Sequence, residues 1–365
     1  MTMGHPLLSV PFETTADVFA IARERLSSAV WDFLEGGAGD EVTLRSNRKE
    51  FDAWQFRQRV MSGLPSPTTQ TSFLGMPLSM PVLTAPFGAD GLFDPEGQRA
   101  VARANRAEGI ISIVPEAGTY SLEQVADAAP EAARIAQLHP MGPRDNFRRM
   151  LRRIEDAGYG AICLTVDCPT GGWRERNLRN RFDIETRVVS GNYPDLGNEE
   201  LSDVFGQLFD RNDAGVWSWA DLSEAMSETE LPWIAKGILS GEDALAAVKA
   251  GASALVVSNH GGRQLDGAPA ALAALPEVRA AVGPDLAILL DSGVRRGADV
   301  VKAVALGANA VVIGRLAAAA LVAGGEHGLR RVLRLLRDEQ TTVLTLLGRG
   351  SIADLTPEAV SRLPR

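Results

Sequence analysis

The sequence predicts an α/β fold of the (β/α)₈ TIM-barrel type. Eight short apolar runs of strand length recur from residue 82 onwards, and amphipathic helical patterns lie between most of them. Strands that alternate with helices indicate βα units and a parallel sheet. Eight such units favour a closed barrel, and no GxGxxG fingerprint follows the first strand, as a Rossmann fold would require. The predicted strands are Val82–Ala85, Ile110–Val114, Arg134–Leu138, Ala161–Val166, Trp233–Lys236, Ala254–Ser258, Ala287–Asp291 and Ala310–Ile313.

The helical patterns between these strands end as barrel helices usually do. Several of them finish in a pair of glycine and alanine just before the next strand, as at Gly158, Gly251 and Gly307. Glycine at this position is typical of a helix C-terminus. The clearest helical patterns are Gly97–Glu108, Asp145–Ala157, Gly241–Ala250 and Arg296–Ala305.

The remaining segments flank the barrel. Residues 14–35 show helical spacing, and residues 40–80 suggest a connecting segment with one or two short hairpins. An Ala-rich helix follows residue 320, then a basic helix over His327–Glu339 and a last helix over Thr341–Leu347. We therefore expect residues 1–365 to form one barrel domain with an N-terminal helical segment.

One connection, residues 167–231 after the fourth strand, is far longer than the others. Loops of this length in a compact domain usually serve as functional lids or are disordered. This one contains Arg174 and many acidic residues, so its composition is polar. We expect it to act as a lid and to make no membrane contact.

Composition narrows the function classes. The net charge is −9, which argues against bulk binding of nucleic acid. Cys163 and Cys168 are too few for a disulfide framework, and no His/Cys cluster completes a metal site. No signal peptide and no apolar run long enough to cross a membrane is evident. We expect a cytoplasmic protein with reduced cysteines and no metal.

Polar and charged residues follow the predicted strands. In a (β/α)₈ barrel the active site lies at the carboxyl ends of the strands, and charges at buried strand ends need partners or a ligand. These residues are Pro86, Phe87 and Gly88 after strand 1, Gln137 and His139 after strand 3, Thr165 and Asp167 after strand 4, Lys236 in strand 5, Ser258 to Arg263 after strand 6, Asp291 to Arg295 after strand 7, and Gly314 and Arg315 after strand 8.

The ends of strands 7 and 8 suggest a phosphate site. Gly293 and Gly314 allow close approach of the backbone, and Arg295 and Arg315 supply charged donors. Lys236 places a positive charge near the barrel centre, where it would stabilise a ring system that gains electrons. Flavin mononucleotide (FMN) has both a phosphate group and a ring of this kind.

His260 is the predicted base. It lies in a polar strand-end loop beside two glycines, not on an apolar stripe. Asp167 is positioned to hold the imidazole tautomer and to stabilise the imidazolium. Arg263 follows three residues later and can bind a carboxylate or another anionic group of the substrate.

Two segments carry a resemblance to a known family. The run SNHGGRQLD (Ser258–Asp266) and the run LLDSGVRRGADVVKAVALGANAVVIGR (Leu289–Arg315) closely resemble the FMN-dependent α-hydroxy-acid oxidases and dehydrogenases, which include glycolate oxidase, lactate oxidase, mandelate dehydrogenase and flavocytochrome b2. The similarity extends from about residue 15 to residue 355. The resemblance implies oxidation of a 2-hydroxy acid to a 2-oxo acid.

The resemblance also implies a role for each matching residue. His260 would take the substrate proton with Asp167 as its partner, and Arg263, with Arg174, would bind the substrate carboxylate. The flavin ring would contact Gln137, Thr165, Lys236, Ser258 and the Pro86-Phe87-Gly88 backbone. The ribityl chain and phosphate would contact Asp291, Gly293, Arg295, Gly314 and Arg315.

The predicted substrate pocket departs from the family pattern at two positions. Phe33 and His139 stand where the family has active-site tyrosines. Phe33 has no donor, whereas the imidazole of His139 can donate and titrate. Smaller departures are Pro115 near the flavin and Ser292 in place of a phosphate-loop glycine. Flavin binding and the base thus match the family, while the substrate pocket differs.

These departures leave two functions open. One is oxidation of a 2-hydroxy acid with a bulky or unusual substituent, which Arg263 favours. The other is FMN-dependent oxidation of a hydroxyl or amine within a larger, peptide-derived biosynthetic intermediate, which the missing tyrosines favour. An FMN-binding barrel without activity and an FMN isomerase fit the His260 motif less well. The electron acceptor is O₂ or another acceptor, and relatives suggest a homo-oligomer, a tetramer.

Overall fold

Eight parallel strands close into a barrel in the computed structural model, which describes residues 10–195 and 217–363 of the chain. Each strand pairs with its sequence neighbour, and the eighth strand pairs with the first. The fold class predicted from the sequence is confirmed, and so are all eight strands. The barrel strands are β1 (Val82–Thr84), β2 (Ile111–Val114), β3 (Arg134–Leu138), β4 (Ile162–Thr165), β5 (Trp233–Ile238), β6 (Ala254–Val257), β7 (Ala287–Leu290) and β8 (Ala310–Ile313).

Helices cover the outside of the barrel. The strands read as continuous apolar runs because both of their faces are buried, as in β2, β4, β6 and β8, whose residues are all buried. Gly158, Gly251 and Gly307 adopt positive φ after their helices, as predicted. The helices that follow or flank the strands are Gly97–Glu108, Leu122–Ala128, Arg144–Asp156, Gly241–Lys249, Ala271–Val282, Gly297–Ala305 and Arg315–Leu346.

The N-terminal segment differs from the prediction of a single helix. It forms two helices, Thr15–Arg25 and Ser28–Glu35, because Leu26 is extended and the Ser27 hydroxyl accepts a hydrogen bond from the Val30 amide at 3.3 Å. This is the usual way in which a serine begins a new helix.

A third helix, Val42–Asp52, was not predicted. Its buried residues Thr43, Asn47 and Phe51 are spaced by four, but two of them are polar. The predicted hairpin in this region is present, with Thr71–Phe73 antiparallel to Met76–Leu78. A further short strand, Trp54–Phe56, pairs with Val360–Arg362 near the C-terminus.

The C-terminal region forms two helical parts, not three. One long helical run, Arg315–Leu346, is interrupted only at Gly324 and Gly325, where the backbone leaves the helical conformation. The helix continues through residue 340, where a break was predicted. Gln340 and Leu344, four residues apart, are both buried along this part of the helix.

The long connection after β4 contains helices at Glu175–Asn180 and Trp219–Met226. Its residues 196–216, and His5 in the N-terminus, lie outside the described part of the chain. Both cysteines are buried and unpaired. Within the described ranges, no helix combines the length and the apolar character needed to cross a membrane.

Candidate active site

A cavity of about 890 Å³ opens at the carboxyl ends of the barrel strands. All predicted site residues line it except Asp167 and Ser258, which lie directly behind it. The structure therefore brings the predicted residues together at one rim, as expected for this fold. The lining residues are Phe33, Pro86, Phe87, Gly88, Gln137, His139, Thr165, Arg174, Lys236, His260, Arg263, Asp291, Gly293, Arg295, Gly314 and Arg315.

His260 and Asp167 form a buried imidazole–carboxylate pair. Nδ1 of His260 lies 3.2 Å from Oδ1 of Asp167, and the imidazole is the more exposed side chain, at 28% against 14%. Burial, helped by the charge of Lys236, lowers the pKa of His260 to about 4, although Asp167 opposes this shift. Burial would raise the pKa of Asp167, but His260 and Lys236 hold it well below its ordinary value. The imidazole is therefore neutral, and the carboxylate charged, at neutral pH.

A bulge in β5 makes room for Asp167. The pairing of β5 with β6 shifts between Lys236 and Ile238, and the intervening Gly237 has φ of 119°. A Cβ at Gly237 would lie 2.5 Å from Cβ of Asp167, so only glycine fits there. The bulge places the Lys236 and Asp167 side chains around the base of the cavity.

Lys236 is the buried cation at the bottom of the cavity. Its Nζ lies 3.7 Å from Oδ2 of Asp291 and 3.4 Å from Oγ of Ser258. Burial would lower the pKa of Lys236, but the charges of Asp167 and Asp291 raise it above its ordinary value. The same Ser258 hydroxyl accepts the His260 amide at 3.0 Å, so it links the cation to the base.

The loop after β6 is held by buried polar contacts. Asn259 exchanges two amide hydrogen bonds with Asn47, at 2.8 and 2.9 Å, and so joins the loop to the helix Val42–Asp52. Asp266 accepts the Thr43 amide at 2.8 Å, at the start of that helix. The sequence analysis missed Asn47 because its role depends on a partner more than 200 residues away.

Three partly buried arginines, Arg174, Arg263 and Arg315, line the cavity wall. Burial, then the charges of Arg174 and Arg315, lowers the pKa of Arg263 well below its ordinary value. Burial also lowers the pKa of Arg174, and it lowers that of Arg315 to about 10 with Glu35 opposing. Such a group of cations is stabilised by an anionic ligand.

Arg263 and Arg174 are held mainly by backbone and amide oxygens. Nη1 of Arg263 donates to the carbonyls of Phe33 and Gly36, and its guanidinium lies 4.9 Å from the Phe33 ring centroid. Arg174 donates to the carbonyl of Arg263 at 3.2 Å and to Oε1 of Gln264 at 3.3 Å.

The predicted phosphate loop has the expected shape. Gly293 has φ of 106°, a conformation that favours glycine, and both Gly293 and Gly314 line the cavity. Arg295 and Arg315 also contact Glu35, which the sequence analysis did not consider. Arg48 is a further cavity residue that it missed, and it donates to the Gly293 carbonyl and to Asp299.

Ser292 holds two strand-end loops together. It adopts φ of 69°, and its hydroxyl accepts the amides of Asn259 at 3.3 Å and Gly261 at 2.9 Å while donating to Asp291 at 2.5 Å. The serine that stands in place of a phosphate-loop glycine thus links the loops after β6 and β7.

The first part of the long connection forms one wall of the cavity. Phe182 and Ile184 line it, and the Phe182 ring stacks on Phe33 with centroids 4.9 Å apart. Phe33 also stacks on Phe93 at 6.4 Å. Phe33, which stands where the family resemblance implies a tyrosine, is therefore part of an apolar aromatic wall.

His139 pairs with a residue that the sequence analysis did not single out, Glu116. Nδ1 of His139 lies 3.1 Å from Oε2 of Glu116, and Tyr193 donates to Oε1 of the same carboxylate at 2.6 Å. Glu116 follows β2, the one strand whose polar end residue was not considered.

Cys168 was also missed. Its Sγ lies 3.4 Å from Nδ1 of His260, and burial, then the charge of Asp167, raises its pKa well above the ordinary value.

The residues around the cavity fit FMN. Lys236 supplies a buried positive charge next to the polar side chains of Gln137 and Thr165, and the strand-end loop at Gly293 leaves its backbone open to a phosphate. Burial, and then repulsion between neighbouring arginines, lowers the pKa values of Arg263 and Arg315, so an anionic group would be stabilised beside them. A (β/α)₈ barrel with this cation-rich rim and a neutral imidazole beside it has the charges and the base that a flavin-dependent oxidoreductase requires.

Comparison with known proteins identifies the family. A model of the FMN-dependent dehydrogenases matches residues 22–362. The chain is 40% identical to glycolate oxidase 1 of Oryza sativa subsp. indica over 346 residues, or 92% of each chain, and 39% identical to L-lactate oxidase of Nostoc sp., over 92% of this chain and 94% of the relative. The chain therefore belongs to the FMN-dependent dehydrogenase family.

Solved structures agree with this assignment. A mandelate oxidase with (S)-2-phenylpropionate superposes with a TM-score of 0.87 at 36% identity, covering 96% of this chain and 98% of that one. A lactate oxidase of Pediococcus acidilactici superposes with a TM-score of 0.89 at 32% identity, covering 98% and 96%. FMN is the cofactor of this protein, which is an oxidoreductase acting on CH–OH donors.

Proposed function

We propose that this protein oxidises a 2-hydroxy acid to the 2-oxo acid, with His260 as the base. The observation that carries this proposal is the neutral His260 paired with a charged Asp167 at a cavity that Arg263 and Arg174 also line. The base and the cations that would bind a carboxylate thus share one pocket. The glycolate, lactate and mandelate oxidases that resemble this chain support the same chemistry.

The mechanism assigns one task to each side chain. Nδ1–H of His260 donates a hydrogen bond to Asp167, so Nε2 carries the lone pair that takes a proton from the substrate. The negative charge of Asp167 then stabilises the imidazolium. Arg263 and Arg174 hold the carboxylate and fix the orientation of the reacting carbon. FMN, when bound, would supply the acceptor for the two electrons that this oxidation releases.

The cofactor would be held by the residues that the family resemblance implies. Lys236, Gln137, Thr165, Ser258 and the Pro86-Phe87-Gly88 backbone would contact the flavin ring. Asp291, Gly293, Arg295, Gly314 and Arg315 would hold the ribityl chain and phosphate. The positions of these residues around one cavity support this assignment.

The cavity wall favours an apolar substituent on the substrate. Phe33, Phe182 and Ile184 line it without a hydroxyl group. An apolar substituent would be stabilised there by burial, at about 25 cal/mol per Å². A small polar acid such as glycolate would gain little from this wall.

A second candidate is oxidation of a hydroxyl or amine within a larger, peptide-derived intermediate. The observation that favours it is the absence of phenolic groups at residues 33 and 139. Without them, the pocket differs from that of enzymes acting on simple hydroxy acids.

We also propose that O₂ or another small acceptor reoxidises the flavin and that the protein is a cytoplasmic homotetramer. Two buried, unpaired cysteines are compatible with a reducing compartment. Size-exclusion chromatography with light scattering tests the oligomeric state.

An anaerobic panel separates the two candidate functions. The purified holoenzyme is mixed with glycolate, L-lactate or mandelate without oxygen, and the visible absorbance of the flavin is followed. We expect mandelate, with its apolar substituent, to bleach the flavin fastest. If none of the three acids bleaches it, oxidation of simple 2-hydroxy acids is ruled out and the larger intermediate becomes the leading candidate.

A further inference from the structure

A second buried imidazole–carboxylate pair lies at the same cavity as the first. His139 follows β3 and Glu116 follows the adjacent β2, and their side chains are only 11% and 6% exposed. Nδ1 of His139 lies 3.1 Å from Oε2 of Glu116. His139 lines the cavity, whereas Glu116 lies behind it, as Asp167 does for His260.

The Glu116 carboxylate is held from several sides. The His139 amide donates to Oε2 at 2.9 Å, and the Tyr193 hydroxyl donates to Oε1 at 2.6 Å. Asn192 anchors the backbone by donating to the Glu116 carbonyl at 2.7 Å. Both oxygens of Glu116 already accept hydrogen bonds, so the nitrogen of His139 that faces Oε2 is the donor in that contact.

The other ring nitrogen of His139 remains available to the cavity. The amide nitrogen of Gln137 lies 3.3 Å from Nδ1 and 3.4 Å from Nε2 of His139. An atom almost equidistant from both nitrogens lies over the ring face, because a position in the ring plane would collide with Cε1. Gln137 therefore packs on the imidazole and does not occupy the lone pair of Nε2.

We propose that Glu116 is a positioning residue that holds a proton on Nδ1 of His139, so that the neutral tautomer of the ring presents Nε2 to the substrate as a hydrogen-bond acceptor. The role of Glu116 rests on the proposed function in one respect: the molecule that occupies the cavity is taken to be the substrate of the enzyme. The pocket then recognises a group that donates a hydrogen bond, a hydroxyl or an N–H, at His139. Arg263 and Arg174 recognise the hydrogen-bond acceptor of the same molecule, its carboxylate.

Tyr193 connects this pair to the long connection after β4. Its hydroxyl contacts the oxygen of Glu116 that does not face His139. Loss of that hydroxyl leaves the His139–Glu116 contact in place. Tyr193→Phe is therefore a matched control that perturbs the same carboxylate without removing the acceptor at Nδ1.

Nitrogen-15 NMR of the imidazoles tests the proposal directly on the holoenzyme. The chain has four histidines, and His139→Phe identifies the signals of His139. Above the pH at which the ring becomes neutral, we expect Nδ1 to be protonated and Nε2 to be unprotonated. A ring protonated on Nε2 would overturn the proposal. This measurement needs no substrate, so it stands even if the proposed function fails.

Variants of Glu116 supply the second readout. Glu116→Met removes the acceptor at similar volume and should give a mixture of the two tautomers. Glu116→Gln should restore Nδ1 protonation, because the backbone N–H of His139 favours the amide oxygen, not the amide nitrogen, at the position of Oε2. Tyr193→Phe should leave Nδ1 protonation unchanged. The His260 signals and FMN content report whether each variant is folded. An unaltered His139 tautomer in folded Glu116→Met would contradict the proposal.

Kinetics separate positioning from a purely structural role. With the acid that reduces the flavin fastest, Glu116→Met should raise KM about five- to tenfold, the worth of one hydrogen bond, and change kcat by less than about threefold. Glu116→Gln should recover most of the KM. An unchanged KM, or an equal loss in kcat for Met and Gln, would show that Glu116 does not act through His139.

Discussion

At the scale of single residues, the chemistry depends on His260 being neutral and oriented. The backbone of His260 has φ of 57°, a conformation that residues other than glycine rarely adopt. The Ser258 hydroxyl accepts a hydrogen bond from the His260 amide. Local strain of this kind occurs at functional sites where the surrounding contacts maintain it. The contacts to Asp167 and Ser258 thus fix an imidazole that burial keeps unprotonated.

The low pKa of His260 predicts the pH dependence of the reaction. A base works when it is unprotonated, so activity is present above the pKa and is lost as pH falls through it. Because burial and Lys236 lower the pKa of His260 to about 4, kcat/KM should stay flat from about pH 8 to about pH 5 and reach half its maximum near pH 4. Steady-state rates across this range provide the measurement, and a half-maximal value near pH 7 would contradict the assignment.

Asp167 should be as important as the base that it orients. Asp167→Asn keeps the size of the side chain but can place an amide donor at Nδ1, which favours the tautomer with its proton on Nε2. We expect kcat to fall by about 10²–10⁴-fold with FMN content unchanged. Asp183→Asn, at another acidic residue of the cavity wall, serves as the control and should change kcat less than about threefold. Equal effects of the two substitutions would argue against the role of Asp167.

At the scale of elements, the β5 bulge positions the catalytic pair. Gly237→Ala would place a Cβ 2.5 Å from Cβ of Asp167 and push the carboxylate away from His260. We expect kcat to fall by about 10- to 100-fold, because small displacements of catalytic groups have effects of this size. The measurement is kcat on protein with full FMN occupancy.

Gly267→Ala is the matched control for this substitution. Gly267 also has positive φ, at 84°, but a Cβ there would meet no atom within 4 Å. It should lose about 1 kcal/mol of stability from backbone strain and keep its kcat. If both alanine variants lost the same activity, the strained backbone and not the position of Asp167 would be responsible.

Apolar patterning predicted the elements with two buried faces and missed those fixed by distant polar contacts. The barrel strands are apolar on both faces, so each one appears as a continuous run in the sequence. The helix Val42–Asp52 buries Thr43 and Asn47, and its start is held by Asp266, more than 200 residues away. Arg48 has no local signal either, since Gly293 and Asp299 are brought near it only by the closed barrel, whereas Glu116 carries the same strand-end signal as the predicted site residues and was overlooked.

At the scale of the whole molecule, one cavity collects residues from both ends of the chain. Phe33 precedes the barrel, Gln137 and Lys236 lie on β3 and β5, and Arg315 begins the C-terminal helix. A ligand that contacts all of them stabilises the entire barrel. FMN should therefore behave as a structural component as well as a reactant.

FMN binding should raise the melting temperature of the protein. At a free concentration of about 100 times Kd, a ligand that binds only the folded state adds about 2.7 kcal/mol. We expect an increase in Tm of several degrees when apoprotein is titrated with FMN, and a smaller increase with riboflavin, which lacks the phosphate for Arg295 and Arg315. Differential scanning fluorimetry provides the measurement. Equal shifts for both ligands would contradict the phosphate site.

The central claim is that His260 removes a proton from a substrate that lies between it and the flavin. Anaerobic flavin reduction by the best acid of the panel, compared between the wild type and His260→Gln with equal FMN content, tests it most directly. The account predicts that the variant keeps its yellow colour and binds the acid but is reduced about 10²–10⁴-fold more slowly. Reduction of the variant at the wild-type rate would contradict the account.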